Sequence, residues 1–233
     1  MTPQTSTDPD GRATPPDPTI DRFDRGEAAA EATAALRGTT RGELFRRAGL
    51  LVGGGAIAAG VPLAIADAQG GLSKRDVEIL NYALTLEYLE AAFYAEAVDR
   101  GKLHGEAQRF ASVVAQHEAA HVQALKKVLG GKAVKAPKFD FQGTTGSQKS
   151  FLATAQVLED TGVSAYQGQA PRIKSDAVLA SAGSILAVEA RHAAWVRDII
   201  GGGGDPVPAP SAFNEPKTMD QVLAAVKKTG FLQ

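Results

Sequence analysis

Two matched patterns constrain this chain more than any other feature. Glu87-x6-Tyr94 is followed by Glu118-x-x-His121, and Glu159-x6-Tyr166 is followed by Glu189-x-x-His192. Glu87 and Glu159 sit among apolar residues, in Leu86-Glu87-Tyr88-Leu89-Glu90-Ala91 and Val157-Leu158-Glu159. Such carboxylates are expected to face inward, and a buried charge is costly unless it is paired or bound to a metal. On a helix, residues three apart share a face, so each Glu-x-x-His can present a carboxylate and an imidazole to one ion. Tyr94 and Tyr166 each lie two helical turns beyond a glutamate, on its face, where the hydroxyl can hydrogen-bond a carboxylate across the molecule. A core aromatic is the plain alternative for either tyrosine alone, and the repeat weighs against it.

The surrounding pattern predicts helices. Ser73 with Asp76 three residues on is a capping pattern, and apolar residues recur at helical spacing through Ile79, Leu80, Ala83, Leu86, Phe93 and Ala97 up to Gly101. A second helix is predicted from Gly105 to Leu129, a third from Ser147 to Gln169 before Pro171, and a fourth from Ser175-Asp176 to Gly201. Helices this long, joined by two short loops and one long one, predict a four-helix bundle. After the Gly201–Gly204 run and Pro206, Pro208 and Pro210, Thr218-Met-Asp-Gln221 is a capping box. It opens a short helix to Lys228 whose Val222, Leu223 and Val226 are expected to pack on the bundle.

Depth along the helices brings the patterns together. Glu87 lies 12 residues before Asp99 and Glu118 lies 13 after Gly105; Glu159 lies 12 before Pro171 and Glu189 lies 13 after Asp176. In two antiparallel hairpins, the carboxylates of each pair therefore meet at one level. Residues 130–146 form the long connection, which can span roughly 55 Å when extended. A 25-residue helix is about 38 Å long. The connection can thus run the length of the bundle and let Glu87, Glu118, His121, Glu159, Glu189 and His192 gather in one layer.

Composition narrows the chemistry. With no cysteine among 233 residues, a disulfide framework, a thiolate metal site and cysteine catalysis are excluded. Carboxylates and imidazoles suit iron or manganese. The formal net charge of -1 argues against nucleic acid as a partner.

These motifs resemble the ligand set of the ferritin-like superfamily, including bacterioferritin and rubrerythrin. Leu158 to Gly168 and Ser211-Ala212-Phe213-Asn214 are similar to its secreted, desiccation-related branch. The resemblance covers about residues 73–233. It implies an all-α ferritin-like bundle with a long crossover between helices 2 and 3. It also implies a dinuclear centre with two iron or manganese ions per chain. The ligands would be Glu87, Glu118, His121, Glu159, Glu189 and His192, and which glutamate bridges stays open. The implied partners are metal ions with O2 or peroxide, and the implied activity is ferroxidase, peroxidase or catalase-like work in stress defence. A non-catalytic protective protein with a stabilising metal site is the alternative. The resemblance also admits assembly into a homo-oligomer.

Rival readings remain at three places. Glu90 shares the face of Glu87 and is its competitor as a ligand; with Glu87 preferred, Glu90 becomes a supporting partner or an exposed charge. His117-Glu118-Ala-Ala-His121 also spells the H-E-x-x-H zinc protease motif, which leaves Glu189-x-x-His192 unexplained. His104 is expected in solvent, and Trp195 in the core.

The N-terminal region is expected to divide in two. Residues 1–40, rich in Pro, Thr, Asp and Ala, read as a disordered leader. Residues 41–68 read as an export signal, with Arg41, Arg46 and Arg47 before the uncharged stretch Ala48–Ala66 and small residues at Ala64, Ala66 and Ala68. The order is similar to a twin-arginine signal, with Gly42 where the second arginine belongs. This predicts contact with export machinery and an exported protein. An uncleaved membrane anchor is the alternative, weakened by the glycines and Pro62 of the stretch. Residues 69–200 are expected to hold the bundle, and 201–233 the linker and packing helix.

Overall fold

A computed structural model of the chain describes residues 71–233. The leader and the export signal lie outside the described residues. Within them the chain forms five α-helices: α1 Lys74–Asp99, α2 Gly105–Leu129, α3 Gln148–Gln169, α4 Asp176–Gly201 and α5 Met219–Thr229. Each boundary falls within a residue or two of its sequence expectation. Local chemistry sets the starts. The side chains of Ser73, Ser147, Ser175 and Thr218 each accept a hydrogen bond from a first-turn backbone N–H. Such caps satisfy donors that a helix end leaves open. Among the described residues, no helix is long and apolar enough to cross a membrane.

The helices pack as two hairpins, α1 with α2 and α3 with α4, with α1 beside α3 and α2 beside α4. The crossover runs from one end of the bundle to the other. It leaves α2 beside the start of α1, where the Asn81 side chain donates to Lys132 O at 3.0 Å and accepts from Val134 N at 2.8 Å. It arrives at the far end, where the Thr145 hydroxyl donates to Glu96 and the His104 N–H donates to Gln148 Oε1. The α3–α4 turn is tied to the start of α1 by the Lys174 N–H on Asp76 Oδ1 at 2.8 Å.

Apolar side chains collect in two clusters. One, around Phe93, Phe110, Phe151 and Val196, takes in the aromatic rings and reaches α5. The other, around Leu80, Leu84, Leu125 and Val178, occupies the opposite half of the bundle. The acidic layer lies between them.

The chain after α4 is sewn onto the bundle. The Lys217 N–H donates to Ser164 O at 3.0 Å. A Cβ on Gly168 would stand 1.8 Å from the Lys217 carbonyl oxygen, so only glycine admits this crossing. Val222 and Val226, one turn apart, are buried, whereas Leu223 is exposed. Leu223 was expected to pack, but it follows Val222 directly and so points about 100° away from the buried stripe. Beyond α5, Leu232 pairs antiparallel with Phe139 of the crossover, and Phe231 meets Phe141 edge to face.

Gly168→Ala is expected to push the 217 segment off α3. By the usual effect of overpacking, it should cost about 1–3 kcal/mol in chemical denaturation, with faster amide exchange in α5 than in α1 to α4.

Candidate metal centre

Each of the four long helices contributes to one layer midway along the bundle. Glu87 comes from α1, Glu118 and His121 from α2, Glu159 from α3, and Glu189 and His192 from α4. The four glutamates are fully buried and His192 nearly so, while His121 keeps about 12% of its side chain exposed. The equal depths read from the sequence are what bring these carboxylates together.

The six side chains fall into two overlapping groups able to hold an ion. One is Glu87, Glu118, His121 and Glu189; the other is Glu118, Glu159, Glu189 and His192. Glu118 and Glu189, the glutamates of the two Glu-x-x-His motifs, belong to both. Glu87 and Glu159 belong to one each. The sequence left the shared carboxylates open, because sharing depends on where four helices converge.

The imidazoles aim at the carboxylates through Nδ1. His121 Nδ1 lies 3.0 Å from Glu118 Oε2 and 3.2 Å from both Glu87 Oε2 and Glu189 Oε1. His192 Nδ1 lies 3.1 Å from Glu118 Oε1 and 3.3 Å from Glu159 Oε2. Several of these approaches are not hydrogen bonds. Glu118 Oε1, Glu159 Oε2, both Glu189 oxygens and His192 Nδ1 are buried without a hydrogen-bond partner. Buried lone pairs that converge without donors are costly to maintain. A divalent cation at each group would satisfy them, so this donor set fits two metal ions.

The tyrosines act as the repeat predicts. Tyr94 of α1 donates its hydroxyl to Glu159 Oε1 of α3, and Tyr166 of α3 donates to Glu87 Oε1 of α1 at 2.5 Å. Each hydroxyl fixes the outer oxygen of an unshared carboxylate, so its other oxygen is presented to the centre.

Glu90 is neither a member of the two groups nor an exposed charge. It is 3% exposed and faces Gly162 of α3. A Cβ on Gly162 would meet Glu189 Oε2 at 3.1 Å and Glu90 Oε1 at 3.4 Å. Gly162 stands three residues after Glu159 as Glu90 stands three after Glu87. The internal repeat therefore places a glycine where its twin has a glutamate, and that glycine makes the room. That substitution in the repeat was the available signal.

His117 is not gathered with His121, as the zinc protease motif requires. It is exposed, and its Nδ1 meets His192 Nε2 at 2.8 Å, with the two rings stacked at 5.1 Å. It therefore braces the outer nitrogen of His192. His104 is exposed at the start of α2. Trp195 is half-buried, packs edge to face on Phe110, and donates Nε1–H to Glu106.

Crowded carboxyls in a dry interior hold protons. Burial pushes Glu87 up to about 7, with Glu118 beside it adding to the rise. Burial and neighbouring carboxylates push Glu90 and Glu189 well above their ordinary value, and burial raises Glu159. Glu118 goes the other way. Burial would raise it, but the imidazoles of His121 and His192 outweigh that and hold it below the ordinary range. Burial opposes the charge on His192, yet Glu118 and Glu159 outweigh it and raise the ring to about 10. Glu87, Glu159, Glu189, Glu90 and His192 thus all bind protons more tightly folded than unfolded. Their contribution to stability is complete at low pH and is lost as pH rises through the folded values. Without metal, the thermal midpoint is expected to fall as pH is raised from 5 to 9. Glu87 acts between 4.5 and about 7, and His192 between 6.5 and about 10. With metal added the slope is expected to flatten, because bound ions replace the protons. Calorimetry across that range checks both.

Comparison with known families agrees with this geometry. A family model described as a ferritin-like domain matches residues 75–202, which is more than half of the chain. No curated protein matches the chain. The match begins in α1 and ends just past α4, enclosing all six converging side chains and the crossover between the hairpins. The chain belongs to the ferritin-like domain family.

Proposed function

We propose that this protein is a two-metal oxidoreductase, holding two iron or manganese ions and turning over O2 or peroxide. The observation that carries the reading is the pair of buried groups sharing Glu118 and Glu189, with unpartnered oxygens directed into the layer. Glu87 and His121 would complete one ion's ligands, and Glu159 and His192 the other's. Two iron or manganese ions held there would each change oxidation state by one, together exchanging two electrons with O2 or peroxide.

The chain's own residues would do the rest. Tyr94 and Tyr166 hold the unshared carboxylates in place through their outer oxygens. His117 braces His192. The two apolar clusters on either side of the layer keep bulk water from the carboxylates. Four carboxylates balance the charge of two divalent ions, so the site is filled without excess charge. Arg46-Arg47 and the apolar stretch after them support placing this activity outside the cytoplasm. Similarity to the desiccation-related branch supports a role in stress defence.

Metal analysis of the full chain tests the reading. About two Fe or Mn per chain are expected. Glu118→Ala and Glu189→Ala should each lose both ions, since each carboxylate is shared, whereas Glu87→Ala should retain one. Fe(II) oxidation or H2O2 consumption should fall at least 100-fold in Glu118→Ala. A single zinc retained by Glu189→Ala would overturn the two-metal reading. A full complement of metal without turnover would make the site a structural one. His117→Ala is expected to weaken metal binding about 10- to 100-fold without changing the stoichiometry, as read by competition with a chelator.

A further inference from the structure

Surface charge is divided unevenly between the two ends of the bundle. At one end α1 begins, α2 finishes and α3 turns into α4, joined by the Lys174 N–H on Asp76 Oδ1 and the Asn81 side chain on Lys132 O. Lys74, Arg75, Lys126, Lys132, Arg172 and Lys174 are all exposed on these turns. Among the described residues, none of the six forms an ion pair. The exposed carboxylates on the same turns are Glu78 and Asp176. Asp76 is buried and occupied by the Ser73 hydroxyl and the Lys174 N–H. At the opposite end the charges are matched. Arg100 pairs with Glu96 at 3.0 Å and Arg109 with Glu106 at 3.5 Å, and exposed Asp99 and Asp198 stand with exposed Lys102 and Lys149.

The chain also enters the described structure at the basic end. Leu72 lies six residues past Ala66, the last residue of the uncharged stretch Ala48–Ala66. Six residues span at most about 20 Å when fully extended. The 26 residues of α1 make it about 39 Å long. A bilayer that takes up the stretch therefore has the basic end within reach, and the tether is too short to turn the far end toward it. Lys and Arg near anionic headgroups are attracted to them, an attraction that fades beyond a Debye length of about 10 Å at 0.1 M salt.

We propose that the basic end of the bundle docks on an anionic lipid surface, with Lys74, Arg75, Lys126, Lys132, Arg172 and Lys174 against the lipid phosphates. The six cations stand on separate turns around the end of a bundle, not along one groove. That arrangement fits a flat array of headgroups better than a single threaded polyanion. The surface shares no residue with the metal layer, which lies midway along the helices, so the proposal does not rest on the two-metal reading.

The test mixes the full chain with vesicles of phosphatidylcholine alone, or of phosphatidylcholine and phosphatidylglycerol in equal parts. Lysine reactivity is then read by acetylation and mass spectrometry. On the anionic vesicles Lys74, Lys126, Lys132 and Lys174 should lose reactivity at least fivefold, while Lys102 and Lys149 stay within twofold. About 0.5 M NaCl should remove the protection. The triple variant Lys132→Glu, Arg172→Glu, Lys174→Glu should weaken binding to the anionic vesicles at least tenfold over its binding to the neutral ones. Lys102→Glu with Lys149→Glu should change that ratio less than twofold. The same three positions changed to Gln provide the comparison if the Glu variant fails to fold. Reading protection residue by residue separates the basic end from the apolar stretch, which can hold the chain on either vesicle. Equal protection on neutral vesicles would overturn the proposal, as would protection of both ends alike or an unchanged ratio in the triple variant. A short DNA duplex that protects the same lysines as strongly at equal phosphate would also overturn it, making this a nucleic-acid surface. Each of these failures leaves the two-metal reading standing, and loss of the metal result leaves this proposal standing.

Discussion

Everything in this bundle is arranged around carboxylates placed where water cannot reach them. Glu87, Glu118, Glu159 and Glu189 are fully buried in one layer, and only two imidazoles offset their charge. An isolated carboxylate moved into an apolar interior costs far more than a small protein's whole stability. The layer therefore exists only because something positive occupies it, protons in the free protein or metal ions in the bound one. The raised proton affinity of Glu87, Glu90, Glu159 and Glu189 is the first of these answers. The convergence of unpartnered oxygens is the mould of the second.

The rest of the fold holds that mould open. Each hairpin matches a glutamate on one helix to a glutamate at the same depth on the next, and the long crossover returns the chain to the end from which α3 can repeat the arrangement. Tyr94 and Tyr166 then stitch α1 to α3 in both directions. The apolar clusters above and below the layer provide the folding free energy, since buried carboxylates provide none. The C-terminal segment adds to the upper cluster through Val222, Val226 and Phe231.

Most of this was legible in the sequence, because it depends on short-range rules. Caps and glycines mark helix ends, a spacing of three or seven residues marks a face, and counting from the turns gives depth. What was not legible depends on close approach between distant segments. Leu158 to Gly168 carries a family resemblance, yet nothing in it says that Lys217 crosses over Gly168. His117 is a ligand only in the rival zinc motif and otherwise is expected above the layer or in solvent; that its ring meets His192 depends on the neighbouring α4. The buried, unpaired amide of Gln169 is likewise invisible, since a glutamine near a helix end is ordinarily a surface residue.

The departures from the repeat matter as much as the repeat. Position 90 is glutamate in α1, and its equivalent in α3 is Gly162. Position 117 is histidine in α2, and its equivalent in α4 is Val188. Both departures fall on the metal layer, so the two groups differ chemically although their ligand types are the same. Nδ1 of His192 is turned to the carboxylates and its Nε2 meets His117 Nδ1; with a cation at Nδ1, Nε2 would carry the ring proton and donate to His117, which would make the inner nitrogen a stronger ligand. The position that would correspond for His121 holds an apolar side chain. Glu90 in turn places a fifth carboxyl next to Glu189 with no twin opposite it. A symmetric cage would hold two equivalent ions and share any electron change evenly. A nearly symmetric cage broken at these two positions would hold two inequivalent ones, in keeping with the proposed oxidoreductase role.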